Sequence, residues 1–545
     1  MPATKKHPAA LPFLFLAEMW ERFGFYLILG IFTLYLKDPV NGWGMDNSVA
    51  ADIFGTYIAF VYLTPFIGGL LADRIMGYRK SIIIGGILMG LGYIGLAVHN
   101  LTVFYVSLGL ICIGNGFFKP NISTLLGNVY NDDAYKANKD LGYNIFYMGI
   151  NIGAFICNFF AAALRNNIGW GAAFIAAGVG MFIGVIVFII GGKHYKHADV
   201  LKPAKPEDMP MTAIMMQVFV PALVVGIGAW FIPGNIFGSD STDAFIFACL
   251  PIIYFFASLL RKASQEDKRP VAALLAVFAV SIMFWAVFKQ NGTALTTWAQ
   301  YYTDREIPAA LEKPAQGLSL VQDIIYKQDS VVAYDKEFRL VRDEAGKPVK
   351  EWGTDPYFKN VAPEKLPAEG ATVKLINTEL FQSINPGFVI LLTPVVILFF
   401  TALRKRGKEP STPKKIAWGL LISALSTFMM VAAVYVCSNG AIKASPWWLV
   451  GSYGVITIGE LFLSPMGLSL VSKLSPARLT SLMMGGWFLA TSIGNKLSGV
   501  LATLWDKYDN KANYFLVNFI LLGIAAAIIF MMLKWLNNIF KESVK

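Results

Sequence analysis

Apolar residues in this chain come in long unbroken stretches parted by polar gaps, and most of the chain lacks the alternation that marks half-buried strands. The stretches fall at 12–36, 53–72, 80–98, 102–128, 140–164, 170–192, 211–231, 244–261, 270–302, 380–403, 414–437, 446–472, 480–506 and 511–538. About 20 apolar residues let a helix cross the hydrocarbon of a bilayer. The pattern predicts an all-α polytopic membrane protein with about fourteen transmembrane helices.

The gaps carry the charge. Lys and Arg concentrate at 73–80, 193–205, 261–269 and 404–415 and in the tail beyond Lys534, while 37–52 and 232–243 hold few. Basic loops stay cytoplasmic, so an even span count puts both termini in the cytoplasm. The net charge of +11 is then loop chemistry, and no nucleic-acid partner is expected. Only 15% of the residues are charged and the mean hydropathy is +0.54, against roughly 25% charged in soluble proteins. Lys5, Lys6 and His7 ahead of the first stretch imitate a secretory leader. That stretch, however, contains Glu18, Glu21 and Arg22 and runs to Leu36 without a small-residue cleavage site, so a spanning helix is expected. Cys112, Cys157, Cys249 and Cys437 sit in or at the ends of apolar stretches without metal-ligand spacing, and read as packing residues.

Two features break the regular spacing. Residues 193–269 hold two apolar stretches between basic linkers, the pattern of an extra helical hairpin between a first six-helix bundle (1–192) and a second (270–545). Residues 303–379 are polar and, by parity, form an external insert between the first two helices of the second bundle. Within the insert the residues from Val331 to Trp352 alternate and turn at Ala345 to Pro348, which predicts a small β-hairpin. After the second stretch, Gly69, Asp73, Arg74, Gly77, Arg79 and Lys80 spell GxxxDRxxGxRK. This spacing resembles the loop of the major facilitator superfamily, which implies two halves around a site at the middle of the membrane.

An ionisable residue inside a span costs several kcal/mol unless it meets a partner or a cavity. Glu18, Glu21, Arg22 and Tyr26 in the first span recur at helical spacing on one face. One Arg cannot neutralise two carboxylates, so one carboxylate is left to exchange a proton; a purely structural ion pair is the competing reading. Lys119 is the one charge in the fourth span, beside Phe117, Phe118 and Pro120. Asn144, Tyr147, Asn151 and Asn158 form a polar stripe in the fifth, suited to amide recognition or to holding helices together. In the second half, Trp285, Lys289, Thr293 and Thr296 are expected on one helical face, followed by Asn385, by Glu460 with Ser464 one turn on, and by Trp487, whose run ends with Asn495 and Lys496. A lone carboxylate such as Glu460 calls for a cation: a substrate amine or Lys289. His7, His99, His194 and His197 all lie away from span centres, so protons must travel on carboxylates. Gly90, Gly92 and Gly95 fit GxGxxG, but inside a membrane helix with no strand ahead they read as helix packing. HExxH, GxSxG and P-loop patterns do not occur, which argues against an enzyme.

Together these residues resemble the proton-dependent oligopeptide transporter family of the major facilitator superfamily, in its bacterial form. Glu18, Glu21, Arg22, Phe23 and Tyr26 match its ExxERFxxY motif. Further matches are Gly68 to Arg74, Phe118 to Asn121, Phe146 to Gly153, Phe284 with Trp285, and Gly459 to Ser469, and the likeness spans nearly all of the chain except 303–379. The resemblance implies import of di- and tripeptides by proton symport through alternating access. It implies a proton-coupling cluster of Glu18, Glu21 and Arg22. It also implies a peptide site walled by Tyr26, Tyr62, Lys119, Tyr147 and Asn151 on one side and by Trp285, Asn385, Glu460, Ser464 and Trp487 on the other, with Lys289 beside it. Glu460 would take the peptide amino group and the cations its carboxylate. The expected setting is the bacterial plasma membrane, the expected partners are peptide, protons and lipid, and the expected state is monomeric. No metal and no cofactor beyond the proton gradient are expected.

Two departures qualify the resemblance. Where the family's seventh helix carries an acid in FWxxFEQ, this chain has Lys289, and where its first helix often has a second Arg, this chain has Leu29. The family's outer salt bridge is therefore lost at both ends, and Lys289 with Glu460 is one candidate replacement. The departures also leave open a proton-coupled symporter of another small zwitterion or anion. A third class, a non-transporting receptor using 303–379 as a binding module, is tested by deleting that insert.

Overall fold

The computed structural model describes residues 7–201, 210–475 and 480–543. Six long helices come first: α1 (Leu11–Lys37), α2 (Asn47–Leu71), α3 (Tyr78–Gly95), α4 (Leu101–Val129), α5 (Lys139–Asn167) and α6 (Trp170–Ile190). A hairpin follows, of α7 (Met211–Ile214) continuing through a π turn into α8 (Val220–Trp230), and then α9 (Asp240–Lys262). The rest is α10 (Gln265–Phe288), α11 (Ala294–Tyr301), the short α12 (Ala309–Gly317), α13 (Ile384–Lys405), α14 (Thr412–Val436), α15 (Trp447–Leu474), α16 (Thr480–Thr503) and α17 (Lys511–Ser543). Among the described residues, ten helical runs are long and apolar enough to cross a membrane by themselves. The polar positions on α1, α3 and α16 lower their hydropathy, and α15 is apolar over the shorter run Trp447–Leu463, but these helices have 27, 18, 24 and 28 residues, which agrees with about fourteen spans.

Local chemistry sets the helix ends. Asn100 and Ser239 accept hydrogen bonds from the backbone N–H groups of Val103 and Thr242, at 3.1 and 3.2 Å, and so cap α4 and α9. In the DRxxG loop Gly77 adopts φ +79°, a left-handed conformation in which a side chain is strained. That turn exposes the start of α3, where the Asp199 carboxylate accepts from the Tyr78 N–H at 2.7 Å.

Buried apolar residues divide into one cluster drawn from residues 10–198 and others drawn from residues 271–539. A smaller cluster of Leu70, Ile214, Val218, Ile252, Phe255 and Leu482 seats the hairpin where α2 meets α16. Each half thus has its own core, and the seam between them is where polar side chains collect.

The insert carries strands β1 (Val321–Ile325), β2 (Asp329–Val332), β3 (Lys350–Gly353) and β4 (Thr372–Ile376). β1 pairs antiparallel with β4, Val321 opposite Ile376, and β2 with β3, Asp329 opposite Gly353. The hairpin turns where its sequence reads Glu344 to Lys347, with Gly346 at φ +75°. The insert grips both halves: Arg342 reaches Asp46 at 2.8 Å, Asn166 donates to the Ser319 and Val321 carbonyls, and Thr303 bridges Ala444. The end of α1 at Lys37 and the start of α17 at Lys511 both lie on this insert face, so the start of α1 and the end of α17 belong to the opposite, terminal face.

Lys443, between α14 and α15, donates to the Tyr301 carbonyl at 2.9 Å and to Asn360 Oδ1 at 2.8 Å, and stands 4.1 Å over the Tyr357 ring. Burial, reinforced by Arg305, pushes its ammonium down to about 7 from 10.5. Between these two values the released segment binds more protons than the docked one, so docking strengthens as pH rises through that window and is unchanged below it. Hydrogen-exchange protection of the insert, corrected for intrinsic rates, should therefore grow from neutral to alkaline pH in wild type. Lys443→Met should remove that growth; an unchanged response in the variant would contradict this anchoring role.

Candidate functional site

A cavity of about 260 Å³ lies in the seam between the halves. Glu18, Arg22 and Tyr26 reach it from one face of α1 at four-residue steps, joined by Tyr62 of α2, Lys119 of α4, and Tyr147, Asn151 and Asn158 of α5. Trp285, Lys289, Asn385, Glu460 and Trp487 close the other side. Asn144, at the start of the α5 stripe, is exposed and outside this lining. The side chain of Ser464 lies outside the described residues.

Glu21 is not part of the wall. It is fully buried behind Arg22 and holds that guanidinium with both carboxylate oxygens, Nη2 donating to Oε1 at 2.5 Å. Arg22 also donates to Asn115 Oδ1 at 3.3 Å, and Asn115 is itself tied to the Val61 carbonyl. Glu18 keeps only a looser 3.5 Å contact from Oε1 to Arg22, and its Oε2 is buried without a partner. The surplus carboxylate of the cluster is therefore Glu18.

The lysines are held by an aromatic ring. Lys119 Nζ stands 4.1 Å and Lys289 Nζ 5.5 Å from the Tyr62 ring centroid, so one π face system serves two cations. Glu460 accepts from Asn385 Nδ2 at 3.1 Å, and Asn385 is fixed in turn by Thr457 at 2.8 Å. The expected pairing of Lys289 with Glu460 does not occur: the ammonium turns to Tyr62 and the carboxylate to an amide. The single face expected for Trp285, Lys289, Thr293 and Thr296 is also broken. A 3-10 turn spans Lys289–Gly292, after which Thr293 donates to Gln290 Oε1 and Thr296 to the Asn291 carbonyl. At this turn Gly292 packs against Phe54, whose ring occupies the space of any side chain.

Among the described residues, hydrogen bonds and ion pairs between the halves all lie level with the cavity or toward the insert face. Thr33 donates to the Gly292 carbonyl, Lys37 to Thr297, Asn158 to Ser383 and Ser492 to the Ala59 carbonyl. Arg165 faces Glu379 at 3.3 Å. On α2 and α16, Gly55 and Gly499 meet so closely that an added Cβ would come within 2.8 Å of backbone. Beside them Lys496 contacts Asp52 at 2.5 Å. From Gly30 at the cavity to Lys37 the α1 seal is about 10 Å thick at helical rise. Among the described residues no such bond crosses toward the terminal face, and Tyr147 is 45% exposed although it lines the cavity. Among the described residues, the bonds that close the cavity therefore lie on its insert side.

Sequence reading missed Asp52, Thr33 and Phe54 in this arrangement. Asp52 reads as loop because it precedes the second apolar stretch, but it belongs to α2. Phe54 carries no polar signal, and its role depends on a partner some 240 residues away, since it meets Gly292.

The POT family model matches residues 79–322 and 371–517. The chain is 30% identical to the peptide transporter YePEPT of Yersinia enterocolitica, over 98% of this chain and 96% of that one. It is 29% identical to the uncharacterized transporter YclF of Bacillus subtilis, over 99% and 95%. A crystal structure of a peptide transporter POT in complex with sulfate superposes with a TM-score of 0.74 at 28% identity, covering 99% of this chain and 97% of that one. A POT family transporter in complex with 5-aminolevulinic acid gives 0.75 at 25% identity, covering 99% of both.

Proposed function

This chain belongs to the POT family, and from that premise we propose that it imports di- and tripeptides by proton symport through alternating access. The observation that carries the reading is the charge layout of the cavity: Arg22 and Lys119 in the first-half wall, Lys289 reaching Tyr62 from the second half, and Glu460, held by Asn385, in the second-half wall. A peptide zwitterion needs a cation for its carboxylate and an anion for its amine, with amide partners between, which Tyr147 and Asn151 supply. Relatives named di-/tripeptide transporters, from Lactococcus lactis among others, support that substrate class.

The basic loops assign the terminal face to the cytoplasm and the insert face to the outside of a bacterial plasma membrane. The protein works as a monomer of two six-helix halves, 1–192 and 270–545, with a hairpin between them. It carries out transport and no covalent chemistry, and needs no cofactor beyond the proton gradient. The structure is then the outside-closed, cytoplasm-facing state. Glu18 carries the proton, because it is the carboxylate of the cluster with an unpartnered oxygen at the cavity.

Purified protein in liposomes, given an inward proton gradient, should accumulate labelled dialanine and lose the accumulation when a protonophore is added. Folded protein that takes up no di- or tripeptide would overturn the substrate assignment.

A further inference from the structure

The family-type outer salt bridge is absent here, yet the outside is closed, and one contact in the seal is unlike the others. Lys496 of α16 has a fully buried side chain, and its Nζ touches Asp52 Oδ1 at 2.5 Å, Thr56 Oγ1 at 2.7 Å and Ser241 Oγ at 2.9 Å. Asp52 of α2 accepts from Ser241 Oγ at 2.6 Å and from Thr242 Oγ1 at 3.1 Å. Ser241 and Thr242 lie in the first turn of α9, whose partially positive N-terminus favours a carboxylate. One ion pair thus joins the first half, the second half and the hairpin. The Asp52 side chain is 20% exposed, so water on the outer side reaches it, while Lys496 is sealed beneath.

We propose that Asp52 is a proton-sensitive latch on the outer seal, separate from the transported proton on Glu18: a proton from outside neutralises it, unpairs Lys496 and releases the outer seal. This rests on the symport reading above. The step is a simple transfer, an external proton bonding to a carboxylate oxygen to give the neutral acid, while Lys496 keeps its charge. A buried ammonium without a counter-ion is strongly unfavourable, and separation of α2 from α16 relieves it by admitting water. The closed seam has no slack to absorb the change, since Gly55 and Gly499 are already in backbone contact beside the pair. Of the other charged groups around Asp52, Asp243 on α9 turns its carboxylate to the Ile236 and Phe237 N–H groups, and Asp46 pairs with Arg342. Lys496 is therefore the charge that protonation strands. The hairpin gains a function here: it supplies the hydroxyls that orient the latch.

The test reads the outer seal without peptide. A cysteine placed at Thr33, within the seal, is labelled from outside with a membrane-impermeant maleimide across a range of external pH, at constant reagent reactivity set by a free-thiol standard. In otherwise wild-type protein the corrected labelling rate should rise severalfold as external pH falls. In Asp52→Asn it should be high and flat with pH, and Asp52→Glu should restore the response. Lys496→Gln, which removes the stranded charge by a second route, should also give a flat profile. A pH response preserved in both Asp52→Asn and Lys496→Gln, or no response in the parent protein, would overturn the proposal. Failure of dialanine uptake in the parent protein is a separate result and bears on the substrate reading alone.

Discussion

Glu18→Gln is expected to abolish proton-driven peptide accumulation while leaving peptide exchange at equal pH intact. The expectation comes from the asymmetry of the α1 cluster. Glu21 is fully buried and bonded to Arg22 through both oxygens, so protonating it would leave the guanidinium unpaired in a dry site. Glu18 has one loose contact and one unpartnered oxygen, and its side chain borders the cavity. It can change protonation state at the least cost to its neighbours. An imposed difference of one pH unit is worth about 1.4 kcal/mol, so one proton per peptide supports roughly tenfold accumulation. In Glu18→Gln the ratio should fall to one. Glu21→Gln should instead disturb Arg22 and depress exchange as well as accumulation. Accumulation retained in Glu18→Gln would assign the proton to another carboxylate.

Glu460→Gln should cost roughly 10- to 100-fold in affinity for free dipeptides, since a hydrogen bond to a charged group is worth about 1.5–3 kcal/mol. The carboxylate is already aimed by Asn385 and Thr457, so little reorganisation offsets the loss. The penalty should be specific to the amine. An N-acetylated dipeptide, which offers no cation, should bind wild type and Glu460→Gln alike. Equal losses for both ligands would mean that Glu460 shapes the wall rather than holding the amine.

The sequence made the membrane class and much of the site legible for one reason: charge inside an apolar stretch is costly, so Glu18, Arg22, Lys119 and Glu460 stand out without any structure. The same rule could not say which of Glu18 and Glu21 was left over, because both lie one residue or one turn from Arg22. The answer came from the packing around Arg22, where Asn115 of α4 completes the guanidinium's partners. The broken helix at Lys289–Gly292 was hidden because the expectation of one continuous face took no account of Phe54, which meets Gly292 from the other half. Asp52 was hidden for a related reason. Polar residues at a helix start ordinarily face water, and only the approach of α9 and α16 turns this one into a junction. Contacts within one helix face could be read from spacing; contacts between halves could not.

The most direct test of the account is coupling run in reverse. Vesicles loaded with dialanine, at equal pH inside and out and with membrane voltage clamped by potassium and valinomycin, are diluted into peptide-free medium while external pH is followed. The account predicts that peptide leaving the vesicles carries protons out with it, acidifying the medium in wild type and not in Glu18→Gln. Peptide efflux in wild type with no accompanying acidification would contradict proton symport.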